Sequence, residues 1–280
     1  MKDSVCYSAN DEPFVLQGDL SEHELPRVWW CLSGPLTFLP IHAAGLYGAN
    51  ASPGQKLSDF VVSSYTPTLS SLITGSRQTA PPNQQVLAVA LPLESKLSGA
   101  RKELDLIKNR VGPSHVKLLL ESAATIGNVT AGMKESSFVH FACHGVQHPT
   151  RPIESALLLA GDSRLTLSHI SRISLPNAQL AFLSACQTAT GDEKLAQEAV
   201  HLAAGMLSAG YRGVIATMWS IADSDAPAIA DEVYAELFKD SKLDASRAAY
   251  ALHKAVKKLV DDSNGTKSFL AWVPFIHMGI

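Results

Sequence analysis

His144 and Cys186 each stand where an apolar, strand-like run breaks into small residues: SFVHFACHG runs from Ser137 to Gly145, and QLAFLSACQT from Gln179 to Thr188. A thiol attacks well only as the thiolate, and a neighbouring imidazole stabilises that form, so the two residues can make a nucleophile and its base. They lie 42 positions apart, so only the fold can bring them together. Neighbouring strands of a parallel sheet would deliver both side chains to one carboxyl edge, where open α/β sheets hold their ligands. Gly145 lets a backbone come close without a Cβ collision, and its N–H and that of Cys186 are candidate oxyanion donors. The chemistry expected of such a site is cysteine-dependent hydrolysis of a peptide bond.

The elements that must position this pair follow from the pattern of apolar residues. Strands are expected at Arg27 to Leu32, Phe60 to Ser64, Gln85 to Ala90, Val116 to Leu120, Phe138 to Cys143, Leu180 to Ala185 and Gly213 to Trp219. They are dense in Val, Leu, Ile and Phe, as strands covered on both faces should be. Helical patterns fall between them, at Pro67 to Gly75, Gly99 to Val111, Thr125 to Lys134, Leu195 to Ala209, Asp225 to Phe238 and Ala245 to Val260. In the second of these, Leu104, Ile107 and Val111 make an apolar stripe beside charged Arg101, Lys102, Glu103 and Asp105, which describes an outer helix lying on a sheet. Gly112-Pro113 ends it. The alternation predicts an α/β fold with a mostly parallel sheet and helices on both faces. A small hairpin is expected after His144, with Ala156 to Ala160 and Leu165 to Leu167 joined through Gly161-Asp162. Residues 1–26, polar and without periodicity, read as a tail or packed arm ahead of one domain at 27–280.

Composition narrows the function further. A hydrophobic content of 46% is ample for a core, and a net charge of −3 creates no field for nucleic acid or an anionic membrane surface. The amino terminus, MKDSVCYSANDEPF, carries acids where a secretory leader needs an apolar stretch, and Arg212 with several glycines interrupts the most apolar window, Leu202 to Trp219. A cytoplasmic location is expected. Cys6, Cys31, Cys143 and Cys186 are too scattered for a disulfide framework, and no C-x-x-C pair suggests zinc, so neither metal nor other cofactor is expected. Neither a G-x-x-x-x-G-K-S/T loop nor a G-x-G-x-x-G turn supports nucleotide binding.

The ordered set SFVHFACHG, SALLLAGDSRLTLSHI, LAFLSACQTATG, VHLAAGMLSAG, GVIATMWSIADSDAPAIADEVYAELF and FLAWVPFIHMG, with RVWWCLSGPLTFLPIHAAGLYG upstream, resembles the CHAT domain, a caspase-like domain grouped with caspases and separase. The resemblance implies a caspase-hemoglobinase fold and a dyad of His144 as base and Cys186 as nucleophile. It also implies that the segment WSIAD, Trp219 to Asp223, lines the pocket for the residue before the cut, with Asp223, or else Asp225, facing a basic side chain. A carboxylate there can pair bidentately with arginine. Caspases carry a glycine two places beyond the nucleophile, whereas here Gln187 and Thr188 follow Cys186, so a preference for aspartate is not implied. CHAT domains often accompany tetratricopeptide repeats, so the resemblance implies a regulatory repeat protein or domain that is either missing here or acts in trans from another chain.

Each assignment has a plainer rival. Cys186 can be a buried structural thiol and His144 a turn histidine, which would leave a silent or partner-activated scaffold module in place of an endopeptidase acting on proteins or peptides. Strand alternation puts Cys143 on the core face with Val139 and Phe141, the depth of His140 within its strand makes it a hydrogen-bonded core histidine, and His148, in a polar loop, is left as a weak alternative base. Asp223, Ser224 and Asp225 compete to cap the following helix. Trp219 can be a core aromatic as well as a substrate platform. Lys254, Lys257 and Lys258 read as a solvated helix face.

Overall fold

A computed structural model describes residues 5–7, 13–15, 25–47, 54–76, 84–91, 98–146, 148, 150–184, 199–219, 221, 225–262 and 268–280. Its strands, in chain order, are β1 (Val5–Tyr7), β2 (Pro13–Val15), β3 (Arg27–Trp30), β4 (Val62–Tyr65), β5 (Val86–Ala90), β6 (Val116–Leu120), β7 (Phe138–Ala142), β8 (Gly145–Val146), β9 (Ala156–Leu159), β10 (Ser163–Thr166), β11 (Leu180–Leu183), β12 (Gly213–Thr217) and β13 (Phe275–Gly279). The helices are α1 (Leu69–Ser76), α2 (Ser98–Val111), α3 (Ile126–Glu135), α4 (Leu167–Ile170), α5 (Ala199–Ser208), α6 (Ala226–Leu237), α7 (Ala248–Asp262) and α8 (Phe269–Trp272).

Eight strands form one sheet in the order β3-β4-β13-β12-β11-β7-β5-β6. Every neighbouring pair is parallel except β12 with β13. As expected of strands covered on both faces, β5, β7, β11, β12 and β13 are buried throughout. Alternate residues feed two cores. Leu87, Val89, Val139, Phe141, Ala181, Leu183 and Val214 join the core on one face, with Val129 and Met133 of α3 and Ala203 and Met206 of α5. Val86, Ala88, Phe138, Leu180, Phe182 and Ile215 face the opposite way, onto apolar residues of α2, α6 and α7. The expected α/β layering is therefore present, with helices on both faces.

Helix boundaries follow local chemistry. On α2, Ala100, Leu104, Ile107 and Val111 are buried while Arg101, Lys102 and Asp105 are exposed, and Gly112, at φ +88°, leaves the helix in a conformation that favours glycine. At the start of α3, the Thr125 side chain accepts from the Asn128 N–H. The hairpin predicted after His144 forms from β9 and β10, joined through Ala160–Asp162 with Gly161 at φ +64°, and β8 extends it to three strands.

Three departures from expectation stand out. The strand β13 has no counterpart in the predicted elements: five residues containing a histidine carry little periodicity, and pairing with β12 and β4 makes them a strand. Within residues 1–26, β1 and β2 pair antiparallel, each only three residues long and too short to show a period of two. Glu103, read as part of the charged face of α2, is 1% exposed. It lies three residues after Ala100 and four before Ile107, so helical geometry turns it onto the sheet.

Candidate active site

His144 comes two residues after the end of β7. The intervening Cys143 is fully buried in the core with Val139 and Phe141, as alternation predicts, and burial pushes its thiol pKa up to about 12. A thiol so protonated at neutral pH is no nucleophile. His144 itself is half-buried, and its carbonyl accepts from the Leu158 N–H at 2.8 Å, which ties the turn to β9.

Gly145 pairs with Leu157 across β8 and β9. Because Leu158 N–H bonds the His144 carbonyl, Gly145 and Leu157 form a non-hydrogen-bonded antiparallel pair, and the Gly145 N–H is turned away from β9. The Gly145 N–H is therefore not spent on the β8–β9 ladder.

Beside β7 runs β11, parallel to it. Leu180 pairs with Phe138, Phe182 with His140 and Leu183 with Phe141, so partners differ by 42 positions, the separation of His144 and Cys186 in the sequence. Cys186 and Asp223 lie outside the described residues. Trp219, two residues past β12, is half-buried and packs against the core that holds Cys143, and its Nε1 is buried without a partner among the described residues. Asp225 is buried at the N-cap position of α6, where its side chain makes no cap bond to the first helical N–H groups.

The other histidines near the turn have structural partners. The Nδ1 of His148 is 3.1 Å from the Arg151 N–H and its Nε2 3.3 Å from the Arg151 guanidinium, so its ring is engaged by one residue on both sides. His140 is fully buried, stacked at a tilt on Phe182 with 4.7 Å between ring centroids, and in polar contact with Glu103 and Tyr234. It is the core histidine expected from its depth in the strand. The partner Glu103 escaped sequence reasoning. Its position on the apolar stripe of α2 was the available signal.

A separate cavity of about 110 Å³ lies under α7, lined by His42, Tyr65, Leu252, His253, Trp272 and Phe275 among others. Of the site residues described, His144, Gly145, Trp219 and Asp225, none lines it, and its strand lining comes from β4 and β13 rather than the ends of β7 and β11.

Comparison with known proteins agrees with this architecture. No curated protein sequence matches the chain. Among solved structures it is similar to the Arg specific cysteine proteinase gingipain R, with 15% identity, a TM-score of 0.53, and 78% of this chain aligned to 54% of that one. It is also similar to the complex of Porphyromonas gingivalis RgpB pro- and mature domains, at 14% identity and a TM-score of 0.55, with 82% of this chain covering 61% of that one. The separase of the Saccharomyces cerevisiae separase-securin complex aligns at 16% identity and a TM-score of 0.55, over 80% of this chain and 14% of that one. The chain thus spans little more than half of the gingipain structures and a small part of separase, and at these identities the likeness speaks for a shared caspase-like fold. The model of the CHAT domain matches residues 7–280. The chain belongs to the CHAT domain family, caspase-like domains related to cysteine peptidases.

Proposed function

We propose that this domain is a cysteine endopeptidase in which His144 is the base and Cys186 the nucleophile. The observation that carries the reading is the β7–β11 ladder: two adjacent parallel strands whose register matches the spacing of the two residues, both of which follow the carboxyl ends. Open α/β sheets bind ligands at that edge. Residues 144 and 186 also share the parity of His140 and Phe182, which face α2 and α6.

In the proposed reaction, His144 takes the proton from the Cys186 thiol as sulfur bonds to the scissile carbonyl carbon. The carbonyl electron pair moves to oxygen, where the Gly145 and Cys186 N–H groups receive it. Collapse of the tetrahedral species breaks the C–N bond, and the amine leaves with the proton held by His144. Water, deprotonated by His144, then attacks the thioester, and the carboxylic product and the free thiol are released.

For specificity, we propose that Trp219 with Asp223 or Asp225 receives a basic side chain ahead of the cut. Asp225 is buried, and a carboxylate in such surroundings pairs strongly with a guanidinium. Gingipain R is described as Arg specific, and its fold is similar. The substrate would be a protein or peptide, met in the cytoplasm, and a repeat protein in trans would regulate access.

Alkylation tests the dyad. The purified chain is treated with iodoacetamide and the modified cysteines are mapped by mass spectrometry. Preferential labelling of Cys186, lost in His144→Ala, is the expected result. Equal reactivity of Cys186 with exposed Cys31, unaffected by His144→Ala, would instead mark a silent scaffold module.

A further inference from the structure

A buried polar chain runs beneath the ends of β7 and β11, and the dyad chemistry has no use for it. Its centre is Glu103, on α2, which is 1% exposed. Burying a carboxylate costs several kcal/mol unless partners compensate it. One oxygen, Oε2, accepts from the Ser184 hydroxyl at 3.0 Å. The other, Oε1, lies 3.0 Å from Nε2 of His140, off the line of a well-formed hydrogen bond, so this contact is electrostatic rather than directional. On the far side of the imidazole, the Tyr234 hydroxyl is 3.4 Å from Nδ1. Burial, reinforced by the negative charge of Glu103, raises the Tyr234 pKa, so the phenol keeps its proton to share with His140.

The placement of these groups is specific. Ser184 directly follows β11 and comes two residues before Cys186, while His140 lies within β7 four residues before His144. Ser184 is 4% exposed and His140 and Tyr234 are fully buried, so water does not compete for any of these contacts. A single carboxylate therefore contacts β7 at His140, two residues before its end, and the first residue after β11, Ser184. The backbone ladder fixes spacing and register as far as Leu183 and Phe141; beyond that last pair, the charge-assisted hydrogen bond from Ser184 fixes direction as well as distance, and the carboxylate facing His140 adds a non-directional attraction on the β7 side.

We propose that Glu103 is a positioning residue for the dyad, setting the separation of the β7 and β11 ends through His140 and Ser184. The inference rests on the endopeptidase reading of His144 and Cys186. Nucleophile and base must meet within hydrogen-bond reach, and a displacement of about 1 Å can cost roughly a hundredfold in rate.

The test compares the unaltered chain with Glu103→Gln, Ser184→Ala and the double variant. Three quantities are measured: the rate of Cys186 alkylation by iodoacetamide relative to that of Cys31 in the same molecule, kcat and KM on a peptide reporter, and the thermal unfolding midpoint. In folded variants, Cys186 alkylation and kcat should fall by roughly ten- to a hundredfold with KM little changed, while Cys31 reacts at its former rate. The double variant should be no slower than Glu103→Gln, because both substitutions break one linkage. Should Glu103→Gln fail to fold, Ser184→Ala, which leaves the contact with His140 in place, decides the matter. Unchanged Cys186 alkylation and kcat in the folded variants would overturn the positioning role and leave the dyad standing. Absence of selective Cys186 labelling in the unaltered chain would remove the dyad, and the positioning role with it.

Discussion

The Tyr65 hydroxyl donates to Nδ1 of His42 at 2.7 Å while Nε2 of the same ring donates to the Val273 carbonyl at 2.9 Å. A carbonyl can only accept, which assigns the ring proton to Nε2 and leaves Nδ1 as the acceptor. The neutral imidazole is thus satisfied at both ends. Burial holds its pKa down at about 4, and pushes that of Tyr65 up to about 12.

This gives stability a direction with pH. The His42 pKa in the folded chain lies below the ordinary 6.5, so between pH 6.5 and about 4 the unfolded chain binds a proton that the folded one refuses. Stability is therefore full above pH 6.5 and declines as pH falls to about 4, by about 3 kcal/mol for His42. His277, lowered by burial and by the charge of Arg27, acts in the same direction. Urea unfolding at pH 7.5 and 4.5 should show a lower midpoint in acid, and His42→Gln should flatten the difference. A midpoint independent of pH would refute the assignment.

Cys143 should resist iodoacetamide at pH 7.5 until the chain unfolds, because its thiol is fully buried and its pKa stands at about 12. Cys31, which is exposed, should label in the native protein. Mapping the alkylated peptides with and without urea checks both statements. Native labelling of Cys143 at a rate like that of Cys31 would contradict the core assignment.

Gly279→Ala should be strongly destabilising. The residue has φ +93°, and a Cβ there would stand 2.2 Å from the Arg212 carbonyl oxygen, a backbone atom that no rotamer change can move. Strain and displacement together should cost about 3 kcal/mol or more, read as a fall in the urea midpoint. A variant as stable as the parent would mean that this strand end can shift freely.

Peptide reporters ending in Arg, Asp and Met test the specificity reading. Turnover should favour Arg, and Asp223→Asn or Asp225→Asn should reduce kcat/KM for the Arg reporter by roughly tenfold or more through the lost charge pair. Equal turnover of all three reporters would rule out a carboxylate-lined pocket.

Much of the sheet could be read from the chain because buried parallel strands announce themselves as dense apolar runs. Val116 to Leu120 was predicted with its observed ends, and β5, β7, β11 and β12 differ by a residue or two where the run outlasts the ladder. Alternation puts Cys143 on the core face, and the depth of His140 within its strand marks it as a core histidine; both are buried. What escaped depends on tertiary partners. Nothing local marks Phe275–Gly279 as a strand, and nothing local says that Glu103 faces an imidazole on β7. Charge in a helix reads as solvent-facing by default, so a buried carboxylate is legible only once its angular position is compared with the apolar stripe.

The place of β13 in the sheet carries a consequence for how the molecule assembles. Among the described residues, 275–279 form the strand that joins β4 to β12 in the sheet, linking Tyr65 to Met278 across more than two hundred positions of chain. Early strands made at the ribosome must therefore wait, unzipped from the rest, until this late segment emerges. Until then the edge of β4 that β13 covers stands open to pairing with other strands.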